Sequence, residues 1–290
     1  MKVLVAGLGA VGSIYATKFK DAGYDVRVLV DECRLSLYES GTFFNNKRYD
    51  FEYVLKGEEE FKPGLIVVAV KAGALGEVVE NLANFVEEGT VILSLLNGIS
   101  SEEVIRAKYL KARVLTSYYV GHASVRNGRK VFYDGIGRIV CEKDDWLRKI
   151  FDRAGVEYEF AENIQSALWQ KFIINIGVNQ TTAMLRGTYA CFEDLNAMEI
   201  AKSLMEEGVE IAKRIGISGH EKFIENAFKL IDEMPRELKT SMYQDIEKGI
   251  ATEVDIFAGE VCRLGHAHGV ETPCNEIAYG VIKKMELEAK

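Results

Sequence analysis

Apolar and polar positions along this chain fall into two regimes. Up to about residue 160, short apolar runs alternate with stretches of helical period. Beyond it only the helical period persists. Residues 2–6 form a short apolar run and residues 25–30 alternate with β-branched side chains, so each predicts a strand. Residues 65–70 form an unbroken apolar run of the kind buried on both faces of a parallel sheet, and residues 90–96 read as another buried strand. Helices are expected over 13–21, closed by Gly23, over 32–39 and over 75–86. Residues 43–54, around Asn45-Asn46, read as a hairpin-like excursion. Residues 112–141 turn antiparallel, with strands at 113–120, 130–133 and 137–141; a helix at 144–154 and a strand at 156–160 follow.

From residue 161 no strand pattern remains, and helices are expected near 192–215, 220–232, 235–248 and 253–268, with a short tail helix from Cys274. The pattern therefore predicts an α/β domain followed by an all-α domain. Residues 1–161 would be a Rossmann-type dinucleotide-binding domain and residues 162–290 a helical domain for substrate and catalysis. One stretch, residues 167–184, is apolar on almost every turn yet carries Lys171, Asn175 and Asn179 at i, i+4 and i+8. An ordinary amphipathic surface helix would show several charges there. One lysine and two amides among Trp169, Phe172, Ile173, Ile176 and Val178 suggest polar groups that need a ligand.

Composition narrows the function. The chain has 290 residues, enough for two domains, with 48% hydrophobic and 28% charged residues. A net charge of −8 argues against nucleic-acid or anionic-membrane partners. The apolar runs are too short to span a bilayer, and no signal-peptide core precedes the first glycine turn. Five scattered cysteines, with no C-x-x-C pair, suggest reduced thiols in the cytoplasm. No metal site is expected, since His266 and His268 point in different directions on a helix. A homodimer through the helical half remains open.

The chemistry begins at residue 7. Gly7-Leu8-Gly9-Ala10-Val11-Gly12 joins a strand to a helix, and each glycine has a physical task. Gly7 allows the tight turn, Gly9 lets the backbone approach a pyrophosphate, and Gly12 lets helix and strand pack. The helix N-terminus offers free N–H groups to the phosphates. Asp31, past the second strand, either accepts bonds from an adenosine ribose and repels a 2′-phosphate, which favours NAD(H), or caps the following helix. Glu32 adds to the acidic side and Arg34 to the basic side of that balance. Lys71 and Asn97 follow the apolar runs, so Gly9, Asp31, Lys71 and Asn97 all fall at strand ends, where open parallel sheets bind ligands. In the helical half, Ser241 and Asp245 lie one turn apart, and Glu253 is read either as a functional carboxylate or as a favourable charge at the head of a helix that Thr252 caps. Hydride delivery to a ketone leaves an alkoxide that needs a proton, and a lysine in an apolar cleft can donate one, because desolvation favours the neutral amine.

These motifs together resemble the ketopantoate reductase (2-dehydropantoate 2-reductase) family over nearly the whole chain. The marks are Gly7–Gly12, Lys71, Leu96-Asn97-Gly98, the Lys171/Asn175/Asn179 stripe, Ser241 with Asp245, and Thr252-Glu253 with Asp255. The resemblance implies that Lys171 is the general acid and that Asn97, Asn175, Asn179 and Ser241 contact a small-molecule 2-oxo acid. It implies that the Gly7–Gly12 turn, Lys71 and Asn97 hold NADP(H), and that Glu253 approaches its ribose and helps set Lys171. Two positions depart from the family pattern. Asp31 stands where the family usually has an arginine for the 2′-phosphate, which leaves NAD(H) in play, and Tyr189 stands near a substrate-contacting asparagine of some members. Rival readings are a 3-hydroxyacid dehydrogenase related to 6-phosphogluconate dehydrogenase and a nicotinamide-binding sensor without turnover. The first tends to carry glycines before its lysine, which residues 163–169 lack, and a sensor has no need of a proton donor.

Overall fold

In a computed structural model of the chain, residues 1–38, 41–57, 60–121 and 125–288 are described. They divide into two units, Met1–Ile164 and Gln165–Lys290. The first runs through β1 (Lys2–Ala6), α1 (Ala10–Asp21), β2 (Asp25–Leu29), α2 (Glu32–Tyr38), β3 (Thr42–Phe44), β4 (Lys47–Tyr49), β5 (Glu52–Val54), β6 (Leu65–Val68), α3 (Leu75–Asn81), β7 (Val91–Ser94), α4 (Ser101–Lys108), β8 (Arg113–Leu115), β9 (Ser117–Gly121), β10 (Val125–Asn127), β11 (Lys130–Phe132), β12 (Gly137–Cys141), α5 (Asp145–Ala154) and β13 (Tyr158–Phe160).

Six parallel strands form its main sheet in the order β5-β2-β1-β6-β7-β8. Because side chains alternate along a strand, the unbroken apolar runs split between two layers. Val3, Val5, Leu65, Val67, Val91 and Leu93 enter one core with Ile14 and Phe19 of α1 and Leu147 and Phe151 of α5. Leu4, Ala6, Ile66, Val68 and Ile92 enter the other with Leu75 and Val79 of α3 and Ile105 of α4. Burial on both faces is what makes these strands read as solid apolar blocks.

The part expected to turn antiparallel is mixed, since β11 also pairs parallel with β3 and β12 also pairs parallel with β13. The strand expected over 113–120 breaks at Thr116. β8 completes the parallel sheet, whereas β9 pairs antiparallel with β12 in a three-stranded sheet, β13-β12-β9. The expected hairpin is β3-β4, within a four-stranded sheet β10-β11-β3-β4. Asn45 and Asn46 make its turn with φ of 46° and 65°, a left-handed conformation that asparagine tolerates.

The second unit is helical: α6 (Ile164–Ile174), α7 (Gln180–Leu185), α8 (Leu195–Arg214), α9 (Phe223–Glu233), α10 (Ser241–Glu247), α11 (Ala258–His268) and α12 (Pro273–Glu288). The long helix expected over 167–184 is not one α-helix, since a π-turn, Asn175–Asn179, separates α6 from α7. The helix expected over 235–248 shrinks to α10. After Pro235 the carbonyls of Arg236 and Leu238 instead accept the N–H groups of Ala190 (2.8 Å) and Tyr189 (3.0 Å). The expected short tail helix is the 16-residue α12. Among the described residues no helix is long and apolar enough to cross a membrane.

Candidate active site

In the first unit the sheet order reverses direction at β1, which has β2 on one side and β6 on the other. Open parallel sheets bind ligands outside the carboxyl ends of their strands at such a switch point. The loop that leaves β1 there is built by its glycines. Gly7 has φ +100°, and a Cβ on it would lie 2.7 Å from the Ala69 carbonyl oxygen. A Cβ on Gly12 would lie 1.9 Å from the Gly7 carbonyl oxygen, so α1 can lie this close to β1 only without a side chain there. Gly9 is different. Its φ of −71° suits any residue, and a Cβ would meet its nearest neighbour, Ala69 O, at 3.8 Å. The protein itself leaves room for a side chain at Gly9, so the missing Cβ keeps space for something else. The first turn of α1, Ala10, Val11 and Gly12, has no acidic residue and no side-chain cap, so its N–H groups remain available to an anion. Leu8, 2% exposed, anchors the loop in the core. This cradle fits a dinucleotide pyrophosphate.

The other strand ends carry the expected residues. Asp31 is half-buried two residues past β2, and its backbone carbonyl accepts Leu35 N–H at 3.2 Å as α2 begins. The side chain of Arg34 lies outside the described residues. Lys71 is exposed beyond β6, at the N-terminus of a short 3₁₀ turn, Ala72–Ala74. Asn97 is half-buried beyond β7 and precedes Gly98, whose φ is +86°.

Beneath the Asn97 loop lies a polar cluster that the sequence does not advertise. Ser94, at the end of β7, pairs its Oγ with Ser101 Oγ at 2.7 Å, and Ser101 Oγ donates to Glu102 Oε2 at 2.9 Å. Glu102 Oε1 accepts Ser117 N–H at 3.1 Å, and Ser117 Oγ donates to the Ser94 carbonyl at 2.8 Å. Glu102 is 3% exposed. Burial pushes its carboxyl above the ordinary value, against the pull of the Ser117 and Ser101 bonds. In the sequence Glu102 is merely an acid in the first turn of a helix.

In the second unit Lys171 sits in the last turn of α6, half-buried, and Asn175 and Asn179 open and close the π-turn. Asn179 Nδ2 donates to Asn175 Oδ1 at 3.3 Å, so the two amides share one face. Ser241, exposed, begins α10. Its neighbour Thr240 caps that helix and meets buried Thr182 of α7 at 2.7 Å between hydroxyl oxygens. Thr182 Oγ1 in turn donates to Asn179 O at 3.1 Å, which ties the head of α10 to the π-turn. Asp245 lies one turn along α10, half-buried.

Glu253 is not at the head of a long helix. It precedes a 3₁₀ turn, Val254–Ile256, and α11 begins only at Ala258. Glu253 is the N-cap residue of this short turn, with no side-chain cap bond, and Thr252 Oγ1 before it accepts Val254 N–H at 3.2 Å. Four hydrogen bonds to three residues of α12 clamp the segment. Glu286 Oε1 accepts from Thr252 N (2.7 Å) and Oγ1 (2.6 Å), and Asp255 accepts from Tyr279 Oη (2.8 Å) and Lys283 Nζ (2.6 Å). Phe257 packs on Phe172, next to Lys171, with ring centroids 6.5 Å apart. Tyr189 is buried in its own 3₁₀ turn against Phe192. Among the described residues no cluster of His, Cys, Asp or Glu could hold a metal ion.

A doubly wound parallel sheet with a glycine cradle at its switch point, followed by a helical domain, defines a Rossmann-type dinucleotide-binding protein of the two-domain kind. Sequence comparison narrows the class. Residues 3–145 match the family model "Ketopantoate reductase PanE/ApbA", and residues 163–286 match "Ketopantoate reductase PanE/ApbA C terminal". The chain belongs to the ketopantoate reductase family. A 2-dehydropantoate 2-reductase of Pyrococcus abyssi is 28% identical over the full length of both chains. A PanE/ApbA family ketopantoate reductase structure from Ralstonia eutropha JMP134 superposes with a TM-score of 0.87 at 23% identity, covering 100% of this chain and 99% of that one. D-mandelate dehydrogenase in a ternary structure with NADH and anilino(oxo)acetate reaches 0.89 at 22% identity, again over 100% and 99%.

Proposed function

We propose that the protein reduces a 2-oxo acid, 2-dehydropantoate, to the 2-hydroxy acid pantoate. The observation that carries this reading is the stripe of Lys171, Asn175 and Asn179: one ammonium and two amides among mostly apolar neighbours, with the amides held together. Relatives named for the same reaction support the substrate. When bound, a nicotinamide dinucleotide supplies the hydride. The Gly7–Gly12 turn holds its pyrophosphate on the N-terminus of α1, and Lys71 and Asn97 hold it further along the strand ends. Asn175, Asn179 and Ser241 orient the 2-oxo acid, and the Lys171 ammonium gives its proton to the developing alkoxide oxygen. Glu253 sets Lys171.

Asp31 favours a second reading of the cofactor alone. A carboxylate past β2 repels a 2′-phosphate, which points to NADH, whereas the family resemblance points to NADPH. Oxidation of NADH and of NADPH, followed with 2-dehydropantoate and a panel of 2-oxo and 3-oxo acids, tests both. We expect turnover with 2-dehydropantoate, and silence with both cofactors would refute the substrate. Lys171→Ala is expected to lower kcat by at least about tenfold to a hundredfold while cofactor affinity holds. An unchanged kcat would remove Lys171 from the role of acid.

A further inference from the structure

Gln180, Asn275 and Glu207 form a hydrogen-bonded chain that no part of the reaction above uses. Gln180 and Asn275 are both fully buried. Gln180 Nε2 donates to the carbonyl of Ile176, inside the π-turn, at 2.7 Å and to Asn275 Oδ1 at 3.1 Å. Asn275 Nδ2 donates to Glu207 Oε2 at 2.7 Å and to the Leu204 carbonyl of α8 at 3.1 Å. Glu207 also accepts the backbone N–H groups of Cys274 (2.7 Å) and Asn275 (3.0 Å), at the head of α12. The chain thus runs from a π-turn carbonyl through α12 to α8.

A π-turn needs such support. An α-helix closes each carbonyl on the N–H four residues on, and a wider turn breaks that pattern. Here the backbone N–H of Gln180 reaches Gly177 O, and the side chain of the same residue takes Ile176 O. Gln180 Oε1 is buried with no hydrogen-bond partner among the described residues. An unpaired buried acceptor is costly, so what this amide supplies is its pair of Nε2 bonds. α8 is shaped to the same turn. A Cβ on Gly177 would lie 2.6 Å from Met205 Cγ, and one on Gly208 would lie 2.5 Å from Ile176 Cδ1.

The wide turn decides where Asn179 points. In an α-helix each four-residue step overshoots a full turn by roughly 40°. Lys171, Asn175 and Asn179 would then drift around the helix, by roughly 80° from the lysine to the last amide. A π-turn holds more than four residues, so the step from Asn175 to Asn179 falls short of a turn and reverses the drift. The Asn179–Asn175 hydrogen bond shows the two amides on one face across the wide turn.

We propose that Gln180, Asn275 and Glu207 are positioning residues that hold the π-turn and thereby place Asn179 on the substrate-facing stripe; this rests on the reading of Asn175 and Asn179 as substrate contacts. Steady-state kinetics on the full chain with 2-dehydropantoate, in a double-mutant cycle of Gln180→Met and Asn179→Ala, test it. Gln180→Met is expected to raise KM for the oxo acid about tenfold, as a misplaced contact does. The Kd for the nicotinamide cofactor should stay within about twofold, since the cradle is untouched. The double variant should be no worse than Asn179→Ala alone. If the two effects multiply instead, or if KM is unmoved in a folded Gln180→Met protein, the positioning proposal is overturned. If Asn179→Ala itself leaves KM unchanged, it is the substrate reading that fails. Should Gln180→Met not fold, the near-isosteric Glu207→Gln, at a half-buried site, replaces it in the cycle with the same expectations.

Discussion

Gly9 and Gly12 lie in one loop yet answer different demands. Gly12 is required by the protein, because its Cβ position is occupied by the Gly7 carbonyl. Gly9 is required by nothing within 3.8 Å. Gly12→Ala should therefore cost about 1–3 kcal/mol or more, read as a fall in Tm. Gly9→Ala should leave Tm nearly unchanged but weaken dinucleotide binding by at least about tenfold in a fluorescence titration. Equal Tm losses in the two variants would refute the distinction. Glu102 gives a second contrast at this scale. Its carboxyl is raised by burial, so in the folded state it binds its proton more tightly than in the unfolded chain. Its contribution to stability is then fully present below about pH 4.5, the ordinary value, and is lost as pH rises through the folded value. Relative to Glu102→Gln, the wild-type chain should lose Tm as pH rises from that point towards neutrality, and a difference independent of pH would count against this account. The motif glycines were legible in the sequence because spacing alone identifies them. Glu102 was not, because its burial depends on Ser94 and Ser117, which come from other elements.

Among the elements, the strands with both faces buried read clearly, since β6 is apolar throughout and β1 and β7 depart from it only at Lys2 and Ser94. The π-turn did not. Spacing at i, i+4 and i+8 is what an α-helix offers, and the extra width appears only when Gln180 and α8 are seen packed against it. The shortened α10 has a similar cause: Pro235 was visible, but the use of the next carbonyls by Tyr189 and Ala190 was not. Glu253 was misplaced at a helix head for want of Glu286, 33 positions away in the sequence, whose carboxylate holds Thr252. This clamp makes a prediction of its own. Glu286→Ala should raise amide hydrogen exchange at Thr252 and Val254 while leaving β1 and β6 protected, because local opening follows local contacts. Uniform exchange across the chain would show global destabilisation instead.

At the level of the whole molecule, the first unit carries two cores of its own, one on each face of the sheet. Residues 1–164 expressed alone should therefore fold and bind a nicotinamide dinucleotide, checked by circular dichroism and by cofactor fluorescence. A fragment that folds without binding would place part of the cofactor site in the helical unit. The sheet order has a further consequence for synthesis. β1 is flanked by β2 on one side and by β6 on the other, and β6 follows much later in the chain. While Leu65–Val68 is still inside the ribosome, Lys2–Ala6 has already emerged with one edge unpaired and both faces apolar. For that interval a strand that will be buried from Val3 to Ala6 and paired on both edges is exposed and adhesive.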